Sequence, residues 1–383
     1  MSKKNIFSKI PNQGKTIFAI MSELAQQHQA IDLSRGFPDF NTHQELMDLY
    51  CSFIQKGYNQ YAPVDGLMSL RERIAEMTQS LYQAEYLPDS EITITGGATE
   101  ALFTAITAFV REGDEVLIFE PAYDSYSPAV KLNGGIPAFI EMPRPNYSFD
   151  WESLQRAITG NTRMIILNNP HNPTGAVMSA WDVEKLSKIV KGTNILLLSD
   201  EVYEHVVFDG ASHESLALYP KLKDRTVIVN SFGKTFHVTG WRIGYVLAPK
   251  ELMNEFRKIH QFLMYTVNTP VQYAFEEFLK TPHPFQQIKE MYQRKRDILV
   301  KGLEGTKFKV SPSKGTYFQC VDYAAISDEK DFEFASRLIR ENNVASIPTS
   351  YFYKAKNDNK VIRFCFAKQD ETLYKALEQL SKI

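Results

Sequence analysis

The chain has 383 residues, 44% hydrophobic and 23% charged, with a formal net charge of −2 at pH 7; this balance suits a globular protein of roughly two to three domains and gives no electrostatic reason to expect nucleic acid or an anionic membrane as a partner. Cys51, Cys320 and Cys365 show neither disulfide nor metal-ligand spacing, so reduced thiols and no metal site are expected. "MSKKNIFSKI" is not followed by an apolar run and no window approaches a membrane span, which makes a cytoplasmic location the expectation.

In chain order, residues 1–40 end in "SRGFPDF" and are expected to form an arm that packs with the C-terminal part. Residues 41–280 then carry seven short β-branched or apolar runs: "EITITG" from Glu91, "EVLIFE" from Glu115, "IPAFIEM" from Ile136, "MIILN" from Met164, "ILLLSD" from Ile195, "TVIVNS" from Thr226 and "YVLA" from Tyr245. Amphipathic stretches lie between them, such as "TEALFTAITAFVREG", where Gly113 is expected to stop the helix. Alternating elements predict an α/β fold, and strands without polar alternation predict a mostly parallel sheet covered on both faces. The prolines of "KTPHPF", Pro282 and Pro284, suggest a hinge. Residues 281–383 read as a smaller α+β domain, with a helix over "QQIKEMYQRKRDILVKGL" and strands at "GTYFQCVD" and "VIRFCFA".

Five of the strands run into chemistry-bearing residues, and ligands of open α/β sheets bind beyond the carboxyl ends of strands. Gly96 and Gly97 precede a helix start at Ala98 and Thr99, where free N–H groups favour a phosphate; a tight turn is the plainer reading. Asp200 ends an apolar strand, where a carboxylate needs a cationic partner such as a protonated ring nitrogen, or else caps a helix. Tyr203 and Asn172 can donate to an aromatic oxygen, and Tyr123 can cover a ring, although turn chemistry and core packing explain such residues too. Ser231 and Arg242 bracket Lys234 and can join an anion site. Lys234 taken alone reads as a solvated charge; buried beside Arg242, it would be a free amine fit for Schiff-base chemistry.

Phosphate loop, ring-nitrogen carboxylate, phenolic-oxygen donors, stacking aromatic and amine together describe a site for pyridoxal 5'-phosphate. With "GFPDF", "NQYAP", "GATEAL", "NNPHNPTG", "SDEVYEH", "SFGKTFHVTGWRIGY", "GTYF" and "RFCFAK" in order, the chain resembles the fold type I, class I aminotransferases, within them the kynurenine and methionine aminotransferase-like branch. The resemblance implies that Lys234 is the Schiff-base lysine, Asp200 pairs with the ring nitrogen, and Tyr203 and Asn172 reach the phenolic oxygen. It implies that Gly97, Ala98, Thr99, Ser231 and Arg242 hold the phosphate and that Tyr123 stacks on the ring. It further implies a homodimer in which Tyr61 reaches the neighbouring subunit's phosphate, with Arg363 clamping the substrate α-carboxylate and Gly36 lining the substrate pocket. Arg35 stands where this branch commonly has Gln. Methionine and aromatic amino acids are the expected donors, with kynurenine transamination or cysteine-conjugate β-elimination as alternatives on the same scaffold. A catalytically silent regulatory relative would carry an added binding segment, and a nicotinamide oxidoreductase a G-x-G-x-x-G after its first strand; neither occurs here.

Overall fold

The structure is a computed structural model that describes residues 7–11, 14–281 and 285–383. Its strands are β1 (Ile31–Asp32), β2 (Ile92–Thr95), β3 (Glu115–Glu120), β4 (Ile136–Glu141), β5 (Thr162–Asn168), β6 (Leu196–Asp200), β7 (Thr226–Asn230) and β8 (Gly244–Leu247). They are followed by β9 (Lys309–Val310), β10 (Phe318–Asp322), β11 (Val344–Ala345), β12 (Ile347–Pro348) and β13 (Val361–Cys365).

The seven expected runs form one sheet in the order β2-β8-β7-β6-β5-β3-β4, parallel except for β8, which runs antiparallel to both its neighbours. Burial on both faces explains their unalternating sequences. Along β5, Ile165 and Leu167 pack with helices Met68–Tyr82 and Ala180–Val190, whereas Met164 and Ile166 face the side of helices Ala98–Phe109 and Lys250–Leu263. Each such buried side chain contributes about 1.5–3 kcal/mol relative to exposure. Because β8 alone is reversed, the carboxyl ends of β2, β3, β5, β6 and β7 share one rim, and β8 starts there. Residues that follow five strands and precede a sixth therefore meet.

Helix Ala98–Phe109 is shorter than its periodicity predicts. Val110 is already extended, Asp114 Oδ2 accepts the Arg111 N–H at 2.8 Å, and Gly113 takes φ 85° in the turn beyond. The aspartate offers the backbone an alternative to the helical ladder, which ends the helix before the glycine.

A second, antiparallel sheet has the order β12-β13-β10-β9, with Cys320 opposite Arg363. Its hydrophobic cluster joins Tyr292 and Leu299 of helix Phe285–Leu303 to Leu338, Phe364 and Leu377. The same cluster takes in Ile17, Met21 and Ala25 from helix Ile17–Gln27, and β1 pairs in parallel with β11. Pro282 and Pro284 lie outside the described residues. Among the described residues, no helix is long and apolar enough to cross a membrane, and no His/Cys/Asp/Glu group could hold a metal ion.

Candidate active site

A cavity of about 220 Å³ opens at the shared rim, between the two sheets. Its walls include Ala98 and Thr99 after β2, Tyr123 after β3, Asn172 after β5, Asp200 at the end of β6, Tyr203 just beyond it, and Ser231 and Lys234 after β7. Arg242 precedes β8, Gly36 follows β1, and Arg363 lies in β13. A larger cleft of about 710 Å³, bordered by Arg144, Tyr147 and Lys309, contains none of these residues.

One end of the cavity is built for an anion. Helix Ala98–Phe109 starts at Gly97 with no side-chain cap, so its first N–H groups remain available. Gly97 has φ 85°, and a Cβ there would lie 2.7 Å from Arg242 Nη2. Only glycine permits both the turn and the approach of the guanidinium. Arg242 is itself left-handed at φ 54°, with Nη1 donating to the Thr239 carbonyl at 3.0 Å. The Ser231 hydroxyl accepts the Lys234 N–H at 3.3 Å, which caps the turn carrying the lysine.

At the floor, Asp200 is 4% exposed, and burial pushes its carboxyl up to about 6, against the Tyr126 hydrogen bond and the Lys234 cation. Burial likewise drives the Lys234 amine down to about 8; the Cys365 and Asp200 acids oppose this, while Arg242 and Arg363 add to it. Lys234 Nζ lies 3.4 Å from the Gly36 carbonyl and 5.8 and 5.7 Å from the Tyr203 and Tyr317 ring centroids. The lysine is thus no surface charge: it points into an aromatic cavity, and burial brings its neutral form closer to neutral pH than that of a solvated lysine.

The opposite wall holds Arg363, fully buried, its guanidinium 3.8 Å from the Phe318 ring centroid. Nη1 donates to Asn172 Oδ1 at 2.9 Å and Nη2 to the Ser34 carbonyl at 3.1 Å, while Nε is buried without a partner among the described residues. A desolvated guanidinium with an unsatisfied donor suits a bidentate carboxylate.

A model of the family "Aminotransferase class I and II" matches residues 28–380. The chain belongs to this family. The aminotransferase is 46% identical to the methionine aminotransferase of Escherichia coli (strain K12) over 98% of both chains, and 33% identical to the kynurenine–oxoglutarate transaminase of Dictyostelium discoideum over 97% of this chain and 94% of that one. Its fold superposes with a TM-score of 0.97, at 45% identity and with complete coverage of both chains, on the crystal structure of Escherichia coli YbdL, a protein identified with a methionine aminotransferase function. The architecture is fold type I, and the family depends in general on pyridoxal phosphate and acts on amino acids and oxo acids.

Two expected residues of the aminotransferase stand apart from the cavity wall. Gly97 packs behind it, against Arg242, and Tyr61 lies away from it, 77% exposed, with its ring 5.2 Å from that of Tyr265. Arg35 is turned from the cavity: its Nε donates to Ser22 Oγ at 2.8 Å and pairs with Asp32 at 3.3 Å. Sequence reasoning passed over Phe18, Leu102, Asn168, Val202 and Phe318, which also line the cavity. Asn168 had a signal, since it ends an apolar strand inside "NNPHNPTG"; its Nδ2 donates to the Asp200 carbonyl at 3.0 Å and its Oδ1 accepts the Asn172 N–H at 2.7 Å. Phe18 had none, because only folding brings helix Ile17–Gln27 to the rim.

Proposed function

We propose that the enzyme transfers the amino group of an L-amino acid with an uncharged side chain, methionine or an aromatic amino acid foremost, to a 2-oxo acid, with pyridoxal 5'-phosphate held in the rim cavity. The observation that carries this reading is the meeting in one cavity of a buried amine with a lowered pKa, a buried carboxylate and an uncapped helix N-terminus beside Arg242. The residues present fit the cofactor, since Arg242 lies against the space a Gly97 Cβ would fill, beside the uncapped helix start, where guanidinium and N–H groups would share one phosphate.

When bound, the cofactor supplies an aldehyde and an electron-accepting ring. Ser231, Arg242 and the N–H groups of residues 97–99 would hold its phosphate, Asp200 its ring nitrogen, Tyr203 and Asn172 its phenolic oxygen, and Tyr123 would cover the ring. Lys234 would anchor the aldehyde and, once displaced by the substrate amine, carry the proton taken from the substrate Cα. Arg363 would grip the α-carboxylate, with Gly36 and Phe18 closing the substrate side.

Charge supports the uncharged side chain. Lys234, Arg242 and Arg363 all have roles in this scheme, and Arg35 is engaged by Asp32 and Ser22. The identity to the Escherichia coli methionine aminotransferase supports methionine itself. Kynurenine is the second donor, on the strength of the kynurenine–oxoglutarate transaminase similarity. β-Elimination from cysteine conjugates would use the same groups.

The enzyme is proposed to act as a homodimer in the cytoplasm, Tyr61 serving the neighbouring subunit's phosphate. Its chain is proposed to divide into an arm (1–40), a large cofactor-binding domain (41–280) and a small domain (281–383), a division supported by the separate sheets and clusters. The test is a donor screen on the reconstituted enzyme. Turnover of methionine or phenylalanine that requires a 2-oxo acid acceptor is expected; pyruvate and ammonia formed without an acceptor would assign β-elimination instead, and faster turnover of aspartate or glutamate would contradict the uncharged pocket.

A further inference from the structure

Among the described residues, Asp200 meets one strong hydrogen-bond donor, and that donor is none of the residues assigned above. The Tyr126 hydroxyl donates to Asp200 Oδ2 at 2.5 Å, with both side chains buried. Among the described residues, the other oxygen receives the Val202 N–H at 3.4 Å, beyond the usual range of about 2.7–3.2 Å. We infer that Tyr126 is a positioning residue for the proposed reaction, its hydrogen bond aiming the Asp200 carboxylate at the cavity and holding it ionised opposite a cationic ring nitrogen. The inference rests on the cofactor reading above for its catalytic meaning, but the hydrogen bond acts on the carboxylate with or without the cofactor.

The placement suits that role. Tyr126 opens the helix Tyr126–Leu132, its N–H donates to the Tyr123 carbonyl at 3.3 Å, and its ring lies edge-on to Tyr123 at 5.5 Å. One buried residue thereby braces both the carboxylate at the floor and the aromatic wall. Burial and the neighbouring Asp200 raise the Tyr126 phenol well above its ordinary value, so it remains a donor across the working pH range. The other ionisable groups that act on Asp200 are Lys234, Glu201, Tyr123 and Tyr203. The Glu201 carboxylate is turned away, held by Ser199 Oγ at 2.7 Å, His213 Nε2 at 2.9 Å and the Leu216 N–H at 3.0 Å. Among the described residues, Tyr126 is therefore the side chain that favours the ionised carboxylate by direct hydrogen bonding, with the long Val202 N–H contact adding to it.

The test titrates Asp200 in apo-enzyme carrying ¹³C-carboxyl aspartate, its resonance identified by disappearance in Asp200→Asn. Tyr126→Phe is expected to raise the midpoint by about one to two units, the shift expected on losing one charge-assisted hydrogen bond. 3-Fluorotyrosine incorporated at position 126, a stronger donor, is expected to lower it, and this second variant decides the matter if Tyr126→Phe does not fold. In equilibrium dialysis, Tyr126→Phe is expected to weaken pyridoxal phosphate binding more at pH 6 than at pH 8, because the variant carboxyl is then largely protonated at the lower pH. A midpoint that neither variant moves overturns the inference while the cofactor reading stands. Variant midpoints that move while the wild type fails to bind pyridoxal phosphate keep the hydrogen-bond inference but overturn the cofactor reading, and the catalytic role of Tyr126 with it.

Discussion

Lys234 and Asp200 are both held against their ordinary ionisation by burial, in opposite senses, and each leaves a mark on stability. The folded apo-enzyme keeps a proton on Asp200 up to about pH 6, whereas the unfolded chain releases it near 3.8. The Asp200 contribution is therefore fully present below pH 3.8 and is lost as pH rises through about 6, a change on the order of 3 kcal/mol. Asp200→Asn is expected to flatten that slope in urea unfolding of apo-enzyme followed between pH 4 and 7. Lys234 works the other way: its folded pKa of about 8 lies below its ordinary 10.5, so the cost of the buried cation is present below pH 8 and relieved toward pH 10.5. Lys234→Met is expected to raise the apo-enzyme Tm at pH 7, with a smaller gain above pH 10, while abolishing transamination. At the opposite wall, Arg363→Lys keeps a charge but loses the fork; kcat/KM for amino acids is expected to fall by about 10- to 100-fold, mainly through KM, from the loss of one charged hydrogen bond of about 1.5–3 kcal/mol. An unchanged KM in steady-state assays would remove Arg363 from the carboxylate role.

The elements that carry the site were the legible ones. Strands such as "MIIL" and "TVIV" announce themselves because both faces are covered, and the residues just after them could be ranked by chemistry before their meeting was known. The two-residue strands β1, β9, β11 and β12 were not legible, because two residues show no periodicity and exist through their partners. The same limit hid Phe18, which reaches the cavity through packing of its helix against the C-terminal cluster, and Tyr126, whose value lies in one long-range hydrogen bond. The reversal of β8 was likewise unread, yet it brings Arg242 to the rim and forces a tight crossing at Gly244. A Cβ there would sit 2.5 Å from the Asn230 carbonyl and 3.4 Å from the Ala98 N–H. Gly244→Ala is expected to cost about 1–3 kcal/mol or more through forced separation of β7, β8 and the helix start. It should lower Tm in a thermal scan, whereas Gly240→Ala, with nothing within 4 Å of its Cβ, should leave Tm close to that of the wild type.

At the scale of the molecule, the candidate cavity is walled by Phe18 and Gly36 near the N-terminus, by the seven-stranded sheet and by the four-stranded sheet, so its geometry depends on all three. Tyr61, Phe262 and Tyr265 stand 77%, 87% and 56% exposed, an aromatic surface suited to the proposed subunit contact. If Tyr61 serves the neighbouring site, Lys234→Ala and Tyr61→Ala chains, each impaired alone, should form mixed dimers with one intact site. Unfolded together in equal amounts and refolded, they are expected to recover about a quarter of wild-type activity. Activity equal to the mean of the two parents would place Tyr61 within its own subunit's function. The proposed reaction depends on Lys234 as the Schiff-base lysine. Enzyme reconstituted with pyridoxal phosphate, reduced with borohydride, digested and sequenced by mass spectrometry is predicted to carry one phosphopyridoxyl group, on Lys234; a label on another lysine, or none at all, would contradict it.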